Sequence, residues 1–158
     1  MNQADVWDAE RALQLIEELE DTPRALLPIL HALQDEFGYI DKAAVPLIAR
    51  ALNITKAEVY STISFYHDFR NIPPGRHVLK MCRSEACQSM DCDKLIQHVE
   101  NRLAIQLGQT TADGTFTVEQ IYCLGLCSQP PAVMLDGRPY GRVTPQVVDS
   151  LLDDARML

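Results

Sequence analysis

The sequence predicts an α+β protein in which an N-terminal helical bundle precedes a smaller domain of alternating strands and helices. Residues 1–70 carry apolar side chains at the three- and four-residue spacing of amphipathic helices, and from residue 76 onward strand-like segments alternate with helical ones. The segment Asn71-Ile72-Pro73-Pro74-Gly75 is a strong breaker between the two patterns. We therefore expect two domains, residues 1–75 and residues 76–158.

Short connections and capping signals support the helical prediction for the first domain. A first helix is expected over Asp8–Leu19, and Thr22 with the proline after it is typical of the N-terminus of a second helix, which Gly38 ends. Thr55 and Glu58 have the spacing of a capping box that opens a later helix. The buried faces of these helices are expected to include Leu13, Ile16, Leu26, Leu30, Leu33, Phe37, Val59, Ile63 and Tyr66.

The second domain has the predicted element order β-α-β-β-α. Strands are expected over residues 76–81, 115–122, 132–135 and 138–143, with Asp136-Gly137 as the turn of a hairpin between the last two. Leu95, Leu103 and Leu107 mark the helix after the first strand, and Thr144-Pro145 opens a last helix. This order resembles the thioredoxin fold.

Charge and hydropathy exclude several classes of function. The net charge of −8 disfavours nucleic acid as a partner, because that binding depends on neutralising phosphates. The sequence contains no run of about 20 apolar residues, so no membrane insertion is expected. The N-terminus lacks the basic and apolar regions of a targeting signal, which indicates a cytoplasmic protein. Residues 1–22 hold seven carboxylates, which form either a solvated helix face or a docking surface for a basic partner.

The cysteines carry the clearest chemical signal. Cys82 and Cys87 follow one predicted strand, and Cys123 and Cys127 follow another, so a shared sheet can bring the two pairs together. Four thiolates suit a [2Fe–2S] cluster and also structural zinc, and spacing alone leaves both open, together with cysteines that share no site. Cys92 is interpreted as a small apolar residue at a helix start, with substitution for one of the four ligands as the alternative.

These motifs together resemble those of a known family. Residues 26–40 (LLPILHALQDEFGYI), residues 58–66 (EVYSTISFY) and the two cysteine pairs resemble the thioredoxin-like [2Fe–2S] subunit of respiratory complex I over roughly residues 20–155. The resemblance implies one [2Fe–2S] cluster, an electron-transfer role and a partner flavoprotein that binds FMN and NAD within a larger oxidoreductase complex. It also implies a ligand set for that cluster, consisting of Cys82, Cys87, Cys123 and Cys127.

The loop from Cys82 to Met90 (CRSEACQSM) looks most like the gamma subunit of NAD-dependent molybdenum formate dehydrogenase. The equivalent subunits of complex I and of NAD-reducing hydrogenases are the alternatives within the family. A zinc-stabilised interaction module and a free-standing ferredoxin are the alternatives outside it. Arg83, between two cysteines, either stabilises the reduced cluster or is a surface charge.

No motif for catalysis or nucleotide binding occurs in the sequence, so no catalytic residue is assigned and the chain is expected to act as a non-catalytic redox subunit. Of the four histidines, only His77 lies close enough in sequence to Cys82 to be considered as a Rieske-like ligand, and four cysteines already suffice. A cis peptide bond is expected at Gln129-Pro130 or Pro130-Pro131, before a predicted strand.

Overall fold

The computed structural model describes residues 7–157, which form two compact units that divide between Pro74 and Gly75. The first unit contains helices and the second contains a sheet with helices, so the predicted mixed class is confirmed. Within residues 7–157 no helix combines the length and the apolarity needed to cross a bilayer.

The described part of the first unit consists of helices α1 (Ala9–Leu19), α2 (Leu26–Phe37), α3 (Ala44–Ala51) and α4 (Lys56–Phe65). The capping box is confirmed, because the Glu58 N–H donates to Thr55 Oγ1 at 3.2 Å and the Thr55 N–H donates to Glu58 Oε2 at 2.8 Å. The helices share one apolar core, whose largest fully buried side chains are Ile16, Ile29, Leu30, Leu33, Phe37, Ile40, Ile48 and Val59.

Three sequence predictions for this unit are wrong. The Thr22 hydroxyl donates to the Leu19 carbonyl at 2.7 Å, so it closes α1 instead of opening α2, which begins only at Leu26. The inward face of α1 is formed by Ala12, Leu15 and Ile16, whereas Leu13 is 41% exposed because it lies about 100° around the helix from Ala12. Tyr66 is also exposed, since α4 ends at Phe65 and helical periodicity no longer applies there.

The second unit is built on a four-stranded sheet of order β2-β1-β3-β4, with β1 (His77–Cys82), β2 (Phe116–Ile121), β3 (Val133–Leu135) and β4 (Arg138–Tyr140). Strands β1 and β2 are parallel, and β3 is antiparallel to both β1 and β4. The register pairs Cys82 with Ile121, so the two parallel strands end at the same edge. The loops that carry Cys82, Cys87, Cys123 and Cys127 begin at this edge of the sheet.

Three helices complete the unit: the short α5 (Glu85–Gln88), α6 (Cys92–Leu103) and α7 (Pro145–Arg156). Arg102 on α6 bridges to Asp149 at 3.1 Å and to Asp153 at 2.6 Å, both on α7. The prediction that the α6 helix reaches Leu107 is wrong. Ala104 takes a left-handed backbone with φ of 53°, and the Gly108 N–H donates to the Val118 carbonyl at 2.7 Å, so this segment runs along β2 instead.

Candidate metal centre

The two cysteine pairs come together where β1 and β2 end. Cys82 is the last residue of β1, and Cys123 follows the end of β2 by two residues. The two loops contact each other, because Leu124 and Leu126 of the second loop pack against the buried cluster that contains Cys82 and Cys87. The sequence prediction that strand ends could gather the cysteines therefore agrees with this geometry.

The first pair lies in the interior. Cys82 and Cys87 are 3% and 1% exposed, and they belong to a small buried cluster with Cys92 and Ala132. The partly buried side chains of Ile121, Leu124 and Leu126 pack against this cluster. An apolar cover of this kind restricts water and is one means by which proteins tune a metal centre.

The second pair is exposed to solvent. The Cys123 and Cys127 sulfurs lie 3.6 Å apart. Two thiolates on one tetrahedral centre with bonds of about 2.3 Å are separated by about 3.8 Å, so this pair fits two positions on a single metal ion. The Gly125 N–H donates to the Cys123 sulfur at 3.3 Å, and Gly125 has a φ of 74°, a conformation that glycine adopts without strain.

Hydrogen bonds distinguish the two buried thiols. Burial acts to raise the pKa of Cys82, but hydrogen bonds from the Ser84 hydroxyl, the Ser84 N–H and the Leu124 N–H outweigh it, so the net pKa is lowered. Burial and the neighbouring Cys82 raise the pKa of Cys87, and they outweigh the lowering effect of Ala132 and Ser84. Cys82 is therefore the first of the buried pair to become a thiolate, the form that binds metal.

The hydrogen bond with Cys123 and the charge of Cys123 raise the pKa of Cys127. Within residues 7–157 no three His, Cys, Asp or Glu side chains are arranged to hold a single metal ion. The arrangement is instead two cysteine pairs, one buried and one exposed. Two pairs match a cluster with two irons, each of which takes two thiolates.

Cys92 is the first residue of α6 and is 2% exposed, which confirms its prediction as a buried residue at a helix start. It packs in the same buried cluster as Cys82 and Cys87. Burial, followed by the nearby Asp93 carboxylate, raises the pKa of Cys92. Burial and the Asp93 carboxylate thus both favour the protonated thiol form of Cys92.

His77 is not part of this centre. It begins β1, whereas Cys82 ends it, and five residue steps along a strand span about 16 Å. Its Nδ1 lies 2.7 Å from Asp136 Oδ2, and Asp136 also accepts from the Val78 N–H. His77 thus anchors the hairpin turn at the far end of the strand, and the Rieske-like alternative is wrong.

Sequence reasoning overlooked several groups of the centre. The Ser84 hydroxyl lies 3.3 Å from the Cys82 sulfur, and Ala132 packs in the buried cluster with Cys82 and Cys87. A serine two residues after a candidate ligand is the only signal for the first of these, because packing between distant residues leaves no local trace in the sequence. The Pro130-Pro131 bond before Ala132 is cis, as one of the two predictions stated.

The loop after Cys127 is held by a close backbone approach. The Arg142 N–H donates to the Gln129 carbonyl at 2.8 Å, and a Cβ at Gly141 would lie 2.8 Å from Gln129 Cβ and 3.0 Å from its carbonyl oxygen.

Gly141→Ala is therefore expected to destabilise the protein by about 1–3 kcal/mol, measured by urea denaturation. Adding Gln129→Gly should recover part of that loss, because it removes one clashing atom. A Gly141→Ala protein as stable as the parent would contradict this contact.

A small sheet that gathers two cysteine pairs at the ends of its parallel strands defines a class of cysteine-rich α/β protein suited to metal binding. The chain belongs to the thioredoxin-like [2Fe–2S] ferredoxin family, which matches residues 12–156. Its cofactor is one [2Fe–2S] cluster, as in that family.

Relatives occur in two kinds of complex. The chain is 35% identical over 134 residues to an NADH-quinone oxidoreductase subunit of Pseudomonas aeruginosa, covering 85% of this chain and 81% of that one. It is 33% identical over 140 residues to the NADP-reducing hydrogenase subunit HndA of Solidesulfovibrio fructosivorans, covering 89% and 82%.

Among solved structures, an air-oxidised NAD⁺-reducing [NiFe]-hydrogenase superposes with a TM-score of 0.71 at 30% identity over 84% of this chain. This chain spans 23% of the hydrogenase chain that it matches.

Proposed function

We propose that this chain is the electron-transfer subunit of an NAD-dependent oxidoreductase complex and that Cys82, Cys87, Cys123 and Cys127 hold its [2Fe–2S] cluster. The observation that carries the proposal is the convergence of the two cysteine pairs at one edge of the sheet. The packing of Leu124 and Leu126 against the cluster that contains Cys82 and Cys87 supports a single shared site. The cluster supplies one-electron transfer when bound.

The chain's own groups have separate tasks in this proposal. The buried pair, Cys82 and Cys87, anchors the cluster in the fold and keeps water from one side of it. The exposed pair, Cys123 and Cys127, leaves the other side open to a partner. The Gly125 N–H donates to the Cys123 sulfur and offsets its negative charge. The sequence contains no motif for catalysis or nucleotide binding, so we assign the chain no catalytic residue.

The electron partner in this proposal is the FMN of a flavoprotein subunit that also binds NAD. Residues 76–158 would hold the cluster, and residues 1–75 would supply interface area. Six exposed carboxylates lie along α1 and its ends: Asp8, Glu10, Glu17, Glu18, Glu20 and Asp21. They favour a basic surface on that partner, while a seventh, Asp5, lies outside the described residues. A cytoplasmic location belongs to the proposal because cluster assembly needs reduced thiols.

Formate dehydrogenase is the proposed parent complex, and the loop from Cys82 to Met90 is its basis. The relatives named above are subunits of NADH-quinone oxidoreductase and hydrogenase complexes, and both remain alternatives within the proposal. A zinc-stabilised interaction module is the alternative of another class.

Native purification tests the function. The tagged chain, expressed in its own host and purified without oxygen, is expected to bring with it a larger subunit that contains FMN. Adding NADH should then bleach the visible absorbance of the cluster. Formate or hydrogen should replace NADH as the electron source if the parent complex is a formate dehydrogenase or a hydrogenase. A chain that purifies alone with zinc in place of iron would overturn the proposal.

Arg83 provides a prediction about the reduced cluster. Its side chain is held by Gln120 at 3.4 Å and by Asp93 at 3.3 Å, and its Nε is buried without a hydrogen-bond partner among the described residues. Arg83→Ala is expected to lower the midpoint potential by about 59 mV, a roughly tenfold change for one electron, because a nearby positive charge favours the more negative reduced state.

The matched control for this prediction is Arg102→Ala, which removes the same charge about 15 Å along α6 from its first residue, Cys92. It should leave the potential unchanged in redox titration. Equal midpoints for Arg83→Ala and the parent protein would identify Arg83 as a surface charge.

A further inference from the structure

Ser84 occupies the N-cap position of α5 but does not act as a helix cap. Its backbone is extended, with φ of −74° and ψ of 164°, as an N-cap residue requires, yet its side chain makes no hydrogen bond to the helix. A serine at this position normally accepts a hydrogen bond from an N–H of the first turn. The hydroxyl of Ser84 is therefore free for another partner.

That partner is sulfur. Ser84 Oγ lies 3.3 Å from the Cys82 sulfur, within the range for a hydrogen bond to sulfur. Cys82 is one of the four proposed ligands, and it packs in the same buried cluster as Cys87. Among the described residues no other side-chain hydroxyl hydrogen-bonds to the Cys82 sulfur.

We propose that the Ser84 hydroxyl donates a hydrogen bond to a ligand sulfur of the bound cluster and thereby raises its reduction potential. The inference rests on the proposed ligand set. A thiolate sulfur can only accept, so in the loaded protein the hydroxyl must be the donor. The reduced cluster carries one more negative charge than the oxidised cluster, and a hydrogen bond to the more negative acceptor is stronger. The hydroxyl therefore stabilises the reduced state more than the oxidised one.

A structural role for Ser84 makes a different prediction. If Ser84 only shapes the turn between Cys82 and α5, its removal changes stability and cluster yield but not the potential of the clusters that form. The midpoint potential of the loaded protein is thus the deciding measurement, and EPR-monitored redox titration supplies it for each variant. Iron and sulfide content, measured on the same samples, shows that the cluster being titrated is complete.

The key variants are Ser84→Ala, which removes the hydroxyl, and Ser84→Thr, which keeps it. Ser84→Ala should lower the equilibrium constant for reduction about tenfold, a shift of about 59 mV for one electron. Ser84→Thr should restore most of that shift. Ser89→Ala is the matched control, because this serine lies at the other end of α5 and its hydroxyl donates to the Ala86 carbonyl at 2.8 Å. It should titrate like the parent protein.

Ser84→Gly serves where Ser84→Ala fails to fold, since glycine is well tolerated at an N-cap and also lacks the hydroxyl. Parental midpoints for Ser84→Ala or Ser84→Gly with a complete cluster would overturn the inference. Failure of the parent protein and of Ser89→Ala to hold any cluster would instead overturn the proposed ligand set, so the two failures are distinguishable.

Discussion

Replacing any one of Cys82, Cys87, Cys123 and Cys127 by serine is expected to abolish the stable [2Fe–2S] cluster, whereas Cys92→Ala should retain it. Each of the four supplies one of the two thiolates that an iron needs from the protein, and no spare donor stands beside the exposed pair among the described residues. We expect the visible absorbance and the EPR signal of the serine variants to fall at least tenfold after anaerobic purification.

The informative comparison is between Cys87→Ser and Cys92→Ala, because both residues are buried in the same small cluster of side chains. Alanine keeps the small apolar character that the interior position of Cys92 requires. If Cys92→Ala loses the cluster while Cys87→Ser keeps it, Cys92 is the ligand and the proposed set is wrong.

Phe116→Ala is expected to destabilise the protein by about 3–5 kcal/mol, since a fully buried aromatic ring would leave a cavity behind. Phe116 is 0% exposed and begins β2, where its ring lies 5.6 Å from that of His77. The Arg156 guanidinium lies 5.7 Å from the same ring centre. Because β2 leads into the loop of Cys123, the variant should also bind less iron than the parent protein.

Urea denaturation of the cluster-free protein measures the effect directly. Phe116→Leu is the control, and it should lose less stability because leucine fills much of the cavity. A loss below about 1 kcal/mol for Phe116→Ala would mean that the core of this unit does not depend on the ring as described.

Much of the fold could be predicted from the sequence, because several of its signals involve only a few adjacent residues. The capping box of Thr55 and Glu58 acts within one helical turn, and the hairpin turn at Asp136-Gly137 joins two short strands, so both could be predicted from a few adjacent residues. The placement of Cys82 at the end of β1 followed from a strand pattern that stops at the cysteine.

The predictions that were wrong concerned contacts between residues far apart in sequence, or side chains that could bond to either of two partners. Thr22 could bond forward to α2 or back to Leu19, and the sequence does not say which. Leu107 continues the apolar spacing of α6, but hydrogen bonds to β2 draw its neighbour Gly108 away from the helix. For the site, the cysteine spacing predicted which side chains to consider. The Ser84 hydroxyl acts within one loop, whereas the packing of Leu124 against the buried cluster of Cys82 depends on two loops meeting in space.

The central claim is that this chain holds one [2Fe–2S] cluster on two cysteine pairs. Iron and acid-labile sulfide per chain, with EPR after dithionite reduction, test it most directly on anaerobically purified protein. We predict about two irons and two sulfides per chain and a rhombic S = 1/2 signal that the four serine variants lack. A colourless, zinc-containing and EPR-silent protein that stays so after attempted cluster reconstitution would contradict the claim.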